Sequence, residues 1–492
     1  MIALQVQNNQ YFEIKRIPFF TKKEFHNNIS DLLSQSFRIV GLFSIDKEDP
    51  DKIVSVLAQD KSTYLYILGC DFDKNDREFE SWVSEYPQTD CYECELAEEY
   101  GLIPLGHPGI HPVRKQNVVL NNQPYDFYTL DGDETHEVAV GPIHAGVIEP
   151  GHFRFNCHGE TVYNLEINLG YQRRGVESLI LNAPPVQRII LSESIAGDTV
   201  IGHAYAHCAL IESLSDTKIT LRAMVIRSIA EELERIAMHI SGLLGMANDV
   251  GYAIVSSSYG RLRTLVINSL AELCGSRFGR GLFIYGGVRF DLDDDITKTI
   301  LKNIKLVRNH LKHINDALFS TTSALIRFDN VGALDKQTAI NLGLLGPSAR
   351  SCGIEIDARV FFPYGAYRYF PISPVTLQSG DSFARARIRA LEIEESFRFI
   401  FELFENIPSG AIKSNVASMK SSAGVISIVE GWRGEIVHSA FTDRFGNLVQ
   451  YKIIDPSFVN WNGLSMALRG NAISDFPICN KSFDLSYAGR DL

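Results

Sequence analysis

His203 and His207 stand four residues apart in the stretch SESIAGDTVIGHAYAH, a spacing that sets both on one face of a helix. Zinc enzymes use that spacing with a general base between the histidines and a third ligand elsewhere. Here Ala204, Tyr205 and Ala206 intervene, so His207 reads as structural, while His203, a turn beyond the tight turn Ala196-Gly197-Asp198, reads as lining a site. GPIHAGVIEPGHF (141–153) gathers His144 and Glu149 into a strand-to-loop segment. A carboxyl placed there, if buried, would have a raised pKa and could carry protons. GYQRRGVES sets Arg173 and Arg174 beside Glu177, GPSARSCGIEIDAR places Arg350 near Asp357 and Arg359, and EGWRGE holds a glycine-flanked Arg433. Arginine–carboxylate groupings of this kind usually serve architecture.

Eight cysteines are scattered along the chain, and their one close pair is Cys91-Tyr-Glu-Cys94. A single CxxC is half of a zinc or iron–sulfur site, and no second half is assigned to it. Its flanks, CYECELAEEYGL, read as an amphipathic helix with Tyr92, Leu96 and Tyr100 on one stripe. The pair is expected as buried thiols, with no metal held by the chain.

The elements that must position these residues fall into two parts. RIVGLFSID, KIVSVLAQD and YLYILGCDF read as a three-stranded meander, with helices expected before it in KKEFHNNISDLLSQ and after it in EFESWVSEY. An Asn-, Asp- and Gly-rich stretch then marks a boundary. The division is residues 1–120, a linker at 121–135, and 136–492. The second part opens with a hairpin turning at His158-Gly159-Glu160 and becomes mainly helical. Its longest helix is expected over ITLRAMVIRSIAEELERIAMHISGLLGMANDVG, with a Glu231–Arg235 pair, followed by helices near 294–320 and 381–406 and a β-like end. The fold class is therefore α+β: a small α+β domain followed by a large, mainly helical one with short β elements. The formal charge of −12 argues against a nucleic-acid partner. No run of about eighteen apolar residues occurs, and the N-terminus lacks the pattern of a signal peptide, so a cytoplasmic setting is the default.

Taken in order, GPxH…EPGHF, xRRGVE, a Gly turn with a histidine-bearing helix, ELxRIxxH, GPxxRxxGxxxDxR, ExxRGE and RGNxxSDxP form one ordered set. The set resembles the large subunit of membrane-bound, energy-converting NiFe hydrogenases of the formate hydrogenlyase and hydrogenase-4 type. It is also similar to the homologous quinone-module (49-kDa) subunit of respiratory complex I, fused behind a 30-kDa-like domain whose matching stretch is CYECELAEEYGLIPLG. The resemblance implies four thiolates for nickel and iron, but they fall on Ala196 and Thr199, and on Ser486 and Gly489 of SFDLSYAGRDL. Soft thiolates are what such a centre requires, so the NiFe centre is expected to be absent, and with it hydrogenase activity.

The resemblance also puts Glu149 at the hydrogenase proton gate, Arg433 beside the iron ligands and His144 at the histidine facing a quinone headgroup. His203, Arg174, Glu177, Arg350 and Asp357 are likewise retained. The implied function is that of a peripheral-arm subunit in a hydrogenase-related, complex I-like oxidoreductase that couples electron transfer to ion translocation. No cofactor is expected in this chain. The expected partners are an iron–sulfur small subunit with 4Fe-4S clusters, antiporter-like membrane subunits, and a quinone or other small redox substrate. Attachment to the cytoplasmic face of the inner membrane would run through those subunits. The alternatives are a catalytically silent scaffold or a quinone-reducing, NADH dehydrogenase-like subunit.

Overall fold

The computed structural model describes residues 2–47, 50–115, 127–144 and 148–492. The first region is built on the antiparallel strands Arg38–Ser44, Lys52–Gln59 and Tyr64–Asp71, the meander expected from their β-branched runs. Two shorter strands extend it, Leu4–Gln7 antiparallel and Phe19–Phe20 parallel to Tyr64–Asp71. The helix Lys22–Ser34 starts at a reciprocal cap. The Thr21 hydroxyl accepts the Glu24 amide, and the Glu24 carboxylate accepts the Thr21 amide.

The helix expected in EFESWVSEY does not form. Glu78–Glu80 is a strand, paired in parallel with Ile103–Leu105, and the chain turns at Trp82. Glu93 accepts the Trp82 amide at 2.9 Å, while the Trp82 ring packs on Phe79 and edge-on to Phe25. These contacts outweigh a weak local preference. The CYEC segment lies on the helix Asp90–Tyr100, which ends at Gly101 in the left-handed region.

Of the expected linker, residues 121–126 lie outside the described residues, as does its boundary at 120. Residues 127–134 are irregular, and Thr135–Val140 begins a three-stranded sheet with the hairpin His152–His158 and Thr161–Asn168. The long helix spans Leu221–Asp249, capped by the Thr220 hydroxyl. Its Ile229, Leu233, Ile236, Ile240 and Leu243 are all fully buried, each such side chain contributing roughly 1.5–3 kcal/mol by leaving water. Ala253–Cys274 and Ser382–Glu405 pack along it, and Asp294–Ser320 follows.

The Glu231–Arg235 pair is not observed. Glu231 instead accepts the hydroxyls of Tyr364 and Tyr367, and Arg235 faces Glu232 and the carbonyls of Glu430 and Gly431. Buried tertiary partners win over a pair that local spacing merely permits.

The C-terminal sheet runs Leu448–Ile454, Gly434–Thr442, Ala423–Gly431 and Phe12–Glu13, so residues near the start of the chain add its last strand. One apolar cluster is continuous from Leu4, Phe12 and Leu57 through Leu345 and Phe362 to Ile428 and Phe458. Asn8 stitches the seam, donating to the carbonyls of Phe362 and Ile428 and accepting the Ile428 amide. The sheet and the helix Val200–Leu214 that lies on it frame the site described next.

Candidate functional site

Two segments almost three hundred residues apart meet in space. The turn Ile195–Thr199 opens the helix Val200–Leu214, whose first amides, on Ile201 and Gly202, are accepted by the Glu234 carboxylate at 2.8 and 3.1 Å. Beside it lies the short helix Tyr487–Asp491, whose Ser486 hydroxyl accepts the Gly489 amide. Arg174 joins them, donating to the carbonyls of Ser194, Ile195 and Ala488. Arg433 joins them again. Its guanidinium grips both oxygens of Asp198 at 2.7 Å, reaches the Thr199 hydroxyl at 3.2 Å, and donates through Nε to the Asp484 carbonyl.

Arg433 is aimed by the tight turn Gly431–Gly434, pinned from behind by Arg235. Gly346 is required beside that turn, since a Cβ there would meet the Arg433 carbonyl oxygen. Burial works to raise the Asp198 carboxyl, but Arg433 more than offsets it and holds the group below its usual range.

Ala196, Thr199, Ser486 and Gly489 therefore border one locus, and none supplies sulfur. The place a side chain at 489 would take is already filled: its Cβ would lie 2.7 Å from the Asp455 carboxylate. Thr199 and Ser486 offer hard oxygens engaged in protein hydrogen bonds. These residues do not fit a thiolate-held NiFe centre.

From Asp455 a hydrogen-bonded chain leads away through the core. His203 Nε2 lies 3.1 Å from Asp455 Oδ2, and His203 Nδ1 lies 3.1 Å from His438 Nε2. His438 Nδ1 is 2.7 Å from the Tyr451 hydroxyl, which is 2.6 Å from His207 Nδ1. His207 Nε2 is 2.9 Å from the Tyr285 hydroxyl, which also reaches the Pro185 carbonyl, and Tyr285 is only half-buried. His203, His207, His438, Tyr451 and Asp455 are all buried.

Burial, with His203 and His207 nearby, pushes His438 well below its usual value, and burial with Arg188 pushes His207 down to about 3. Both rings are neutral at physiological pH. Tyr451 has one hydroxyl hydrogen between two Nδ1 atoms, so it donates to one ring and accepts from the other. The bonds from His438 through Tyr451 and His207 to Tyr285 then point the same way, and shifting each hydrogen along reverses them. Burial works to raise Asp455, but the His203 hydrogen bond and charge, with Arg433 and the Ser457 amide, bring it below its usual range.

Glu149 lies across the Arg433–Asp198 pair. Loss of water, with Asp198 adding to it, raises its pKa, while Arg433, the Tyr487 amide and Gln172 pull back. The residue is exposed on one side. A loop position sequence-adjacent to proline leaves that face to water. His144 turns to the Gly151 carbonyl at 2.8 Å and lies against Phe153, whose ring in turn meets Tyr487.

The remaining sequence-predicted residues lie elsewhere. Glu177 accepts the Ile453 amide and faces Lys452. Arg350 and Asp357 belong to a buried ionic network with Glu392, Glu430 and Arg359. The sequence reading missed Asp198, Asp455, His438, Tyr451 and Tyr285. Asp455 alone left a local signal, as an acid just before Pro456 whose carboxylate accepts the Ser457 amide where the helix Ser457–Ala467 begins.

A small α+β region whose sheet seam runs into a helical domain, with a polar locus between its 195–199 turn and its C-terminal helix, defines a large-subunit class shared with known respiratory proteins. The family described as respiratory-chain NADH dehydrogenase, 49 Kd subunit, matches residues 249–423. The membrane-bound hydrogenase subunit alpha of Pyrococcus furiosus is 30% identical over 364 residues, covering 71% of this chain and 85% of that one. Formate hydrogenlyase subunit 5 of Escherichia coli is 27% identical, covering 89% and 81%. An NADH-quinone oxidoreductase subunit of Bacteroides fragilis is 29% identical, covering 74% and 76%. A chain of the membrane-bound sulfane sulfur reductase, an archaeal respiratory membrane complex, has the same fold with a TM-score of 0.69 at 23% identity, over 74% of this chain and 100% of that one. The chain belongs to the 49 Kd subunit family of complex I and the membrane-bound hydrogenases.

Proposed function

We propose that this chain is the large peripheral subunit of a membrane-bound, complex I-like oxidoreductase, that it holds no NiFe centre, and that it couples a redox reaction in its cavity to ion movement. The observation that carries the reading is the buried chain from Asp455 to Tyr285. It connects Asp455 and His203 to the half-buried Tyr285 through His438, Tyr451 and His207, which each give one hydrogen and accept another. A proton taken from water at Tyr285 is matched by one delivered to Asp455, with no net charge left on the intervening rings. Glu149, on the opposite side of the Arg433–Asp198 pair, is a second proton-holding group. Its relatives are named as subunits of hydrogenase, formate hydrogenlyase and NADH-quinone oxidoreductase complexes. That supports an iron–sulfur small subunit and antiporter-like membrane subunits as partners. No helix among the described residues is long and apolar enough to cross a membrane, so attachment on the cytoplasmic face would run through those partners.

The test uses membrane vesicles with the assembled complex. Tyr451→Phe keeps the ring and removes the one hydroxyl between His438 and His207. Glu149→Gln keeps size and hydrogen bonding but removes the titrating proton. Assembly should survive both, while ion flux per complex falls by one or more orders of magnitude, within the roughly 10²–10⁴ range of losing a general acid–base group. Unchanged flux in both variants would favour the scaffold reading, which the filled position at Gly489 supports.

A further inference from the structure

The CxxC pair, expected as buried thiols without a second half, has one. Past Cys94 the chain turns back through Gly-His-Pro-Gly-Ile-His and delivers His107 and His111 to the helix Asp90–Tyr100. The order is C-x2-C-x12-H-x3-H, a spacing that suits a Cys2His2 metal site. Cys94 Sγ lies 3.6 Å from His107 Nε2 and 3.5 Å from His111 Nδ1. Asp90 faces both rings, with Oδ1 3.5 Å from His107 Nε2 and Oδ2 3.6 Å from His111 Nε2, and Cys91 Sγ is 3.9 Å from the same Oδ2. The donor atoms form two triads sharing Asp90, one with Cys91 and His111 and one with Cys94 and His107, each within 4.8 Å. Both cysteines and the His107 ring are buried, and the His111 ring and Asp90 are partly so.

The distances from Cys94 to the two imidazoles suit a tetrahedral ion, and Cys91 joins them through the triad with Asp90 and His111. Bond lengths of about 2.3 Å to sulfur and about 2.0–2.1 Å to nitrogen place sulfur and nitrogen ligands roughly 3.5 Å apart. A cluster held by thiol hydrogen bonds alone would not need two cysteines and two histidines folded back on each other from opposite ends of a helix and loop.

We propose that Cys91, Cys94, His107 and His111 form a structural zinc site, with the Asp90 carboxylate beside the donors adding negative charge to the ion. Mixed thiolate and imidazole donors select zinc over magnesium or calcium, which take oxygen ligands. On binding, each thiol releases its proton to water, and the two thiolates balance the charge of the ion. Four protein ligands leave no open position, so the ion is structural and takes no part in turnover.

The ion staples the loop that carries Arg114. That side chain donates to Glu95, to the Arg490 carbonyl at 2.6 Å and to the Ile453 carbonyl at 3.3 Å. Asn462 of the helix Ser457–Ala467 donates to Asp90 and Cys91 from the other side. Zinc would thus lock the first region against the strand and helix that frame the cavity. The inference does not depend on the function proposed above.

The experiment is elemental analysis of the tag-free full chain, purified in reductant without added metal or chelator. About one zinc per chain is expected. The Cys91→Ser/Cys94→Ser double variant should fall below about a tenth of that, while Asp90→Asn keeps the ion but binds it roughly 10–100-fold more weakly. Cys157→Ser and Cys479→Ser, remote from the cluster, should keep full zinc. If the double variant does not fold, the wild-type chain decides by cobalt substitution. A thiolate-to-cobalt charge-transfer band with the visible bands of tetrahedral cobalt supports the site, and a chain that binds neither zinc nor cobalt in reductant overturns it. Full zinc in a folded double variant also overturns it.

Discussion

Two arginines, one on the short helix Gly346–Ser351 and one in the turn Gly431–Gly434, organise this domain in opposite ways. Arg350 is wholly buried and donates to Glu392, Glu430 and the Ile356 carbonyl, with Asp357 and Arg359 in the same network and its Nη2 left without a partner. Arg433 is also buried, but its main partner Asp198 keeps about 40% of its side-chain surface open, and Glu149 stands beyond it. The first network has no water to fall back on, and burial together with Asp357 pushes its Glu430 up to about 7. The second reaches the surface through Asp198 and Glu149, which meet water. Burial of every partner marks architecture, and a partner open to water marks a site.

The sharpest way to break this contrast is to remove each guanidinium. Arg350→Met should cost about 3–5 kcal/mol, because it strands several carboxylates in a dry interior. Arg433→Met should cost about 1–2 kcal/mol, since Asp198 rehydrates once released. Denaturant midpoints measure both, and equal losses would erase the distinction drawn here.

A smaller effect is expected at the locus that the thiolates have left. Asp455 is held by His203 and the Ser457 amide and cannot swing aside freely, so Gly489→Ala should destabilise the fold by about 1–3 kcal/mol. The loss should shrink in the Asp455→Ala background, which a double-mutant cycle reads as coupling. No coupling would mean that position 489 has room for a side chain after all.

The smallest effect per step comes from pH. His207 and His239 are pushed down by burial to about 3 and about 4, and His438 lies well below its usual value. Below the unfolded value near 6.5, the unfolded chain binds protons that the native chain refuses. The stability is therefore whole above about pH 6.5 and is lost as pH falls towards the folded values, by up to about 1.4 kcal/mol per pH unit for each histidine. His207→Gln should flatten that acid slope by as much as one proton. An unaltered slope in stability measured between neutral pH and about pH 5 would show that His207 titrates normally.

Several parts of this molecule were legible from residues in order. The strands at 38–71 and the helix Leu221–Asp249 follow from local alternation and periodicity, because each buries one face regardless of what covers it. The family could be read from seven short motifs, and the absence of thiolates at Ala196, Thr199, Ser486 and Gly489 is a matter of residue identity alone. The helix expected at 78–86 failed because Glu93 and Phe25, distant in sequence, claim Trp82 and its amide.

What only the tertiary structure decided is which side chains share a proton or a ligand shell. His203 and His438 are 235 residues apart, and His207 and Tyr451 are 244 apart. His438 and Tyr451 lie on buried strands where nothing in the spacing separates a relay from a core. The same holds for the four Cys and His donors. Their identities and spacing are written in the chain, but the 3.5–3.6 Å approach of Cys94 to both imidazoles depends on a loop folding back over its own helix. Local sequence sets what each residue can do, because donor type and periodicity are properties of single segments. Proximity between segments is set by packing, which no segment carries by itself.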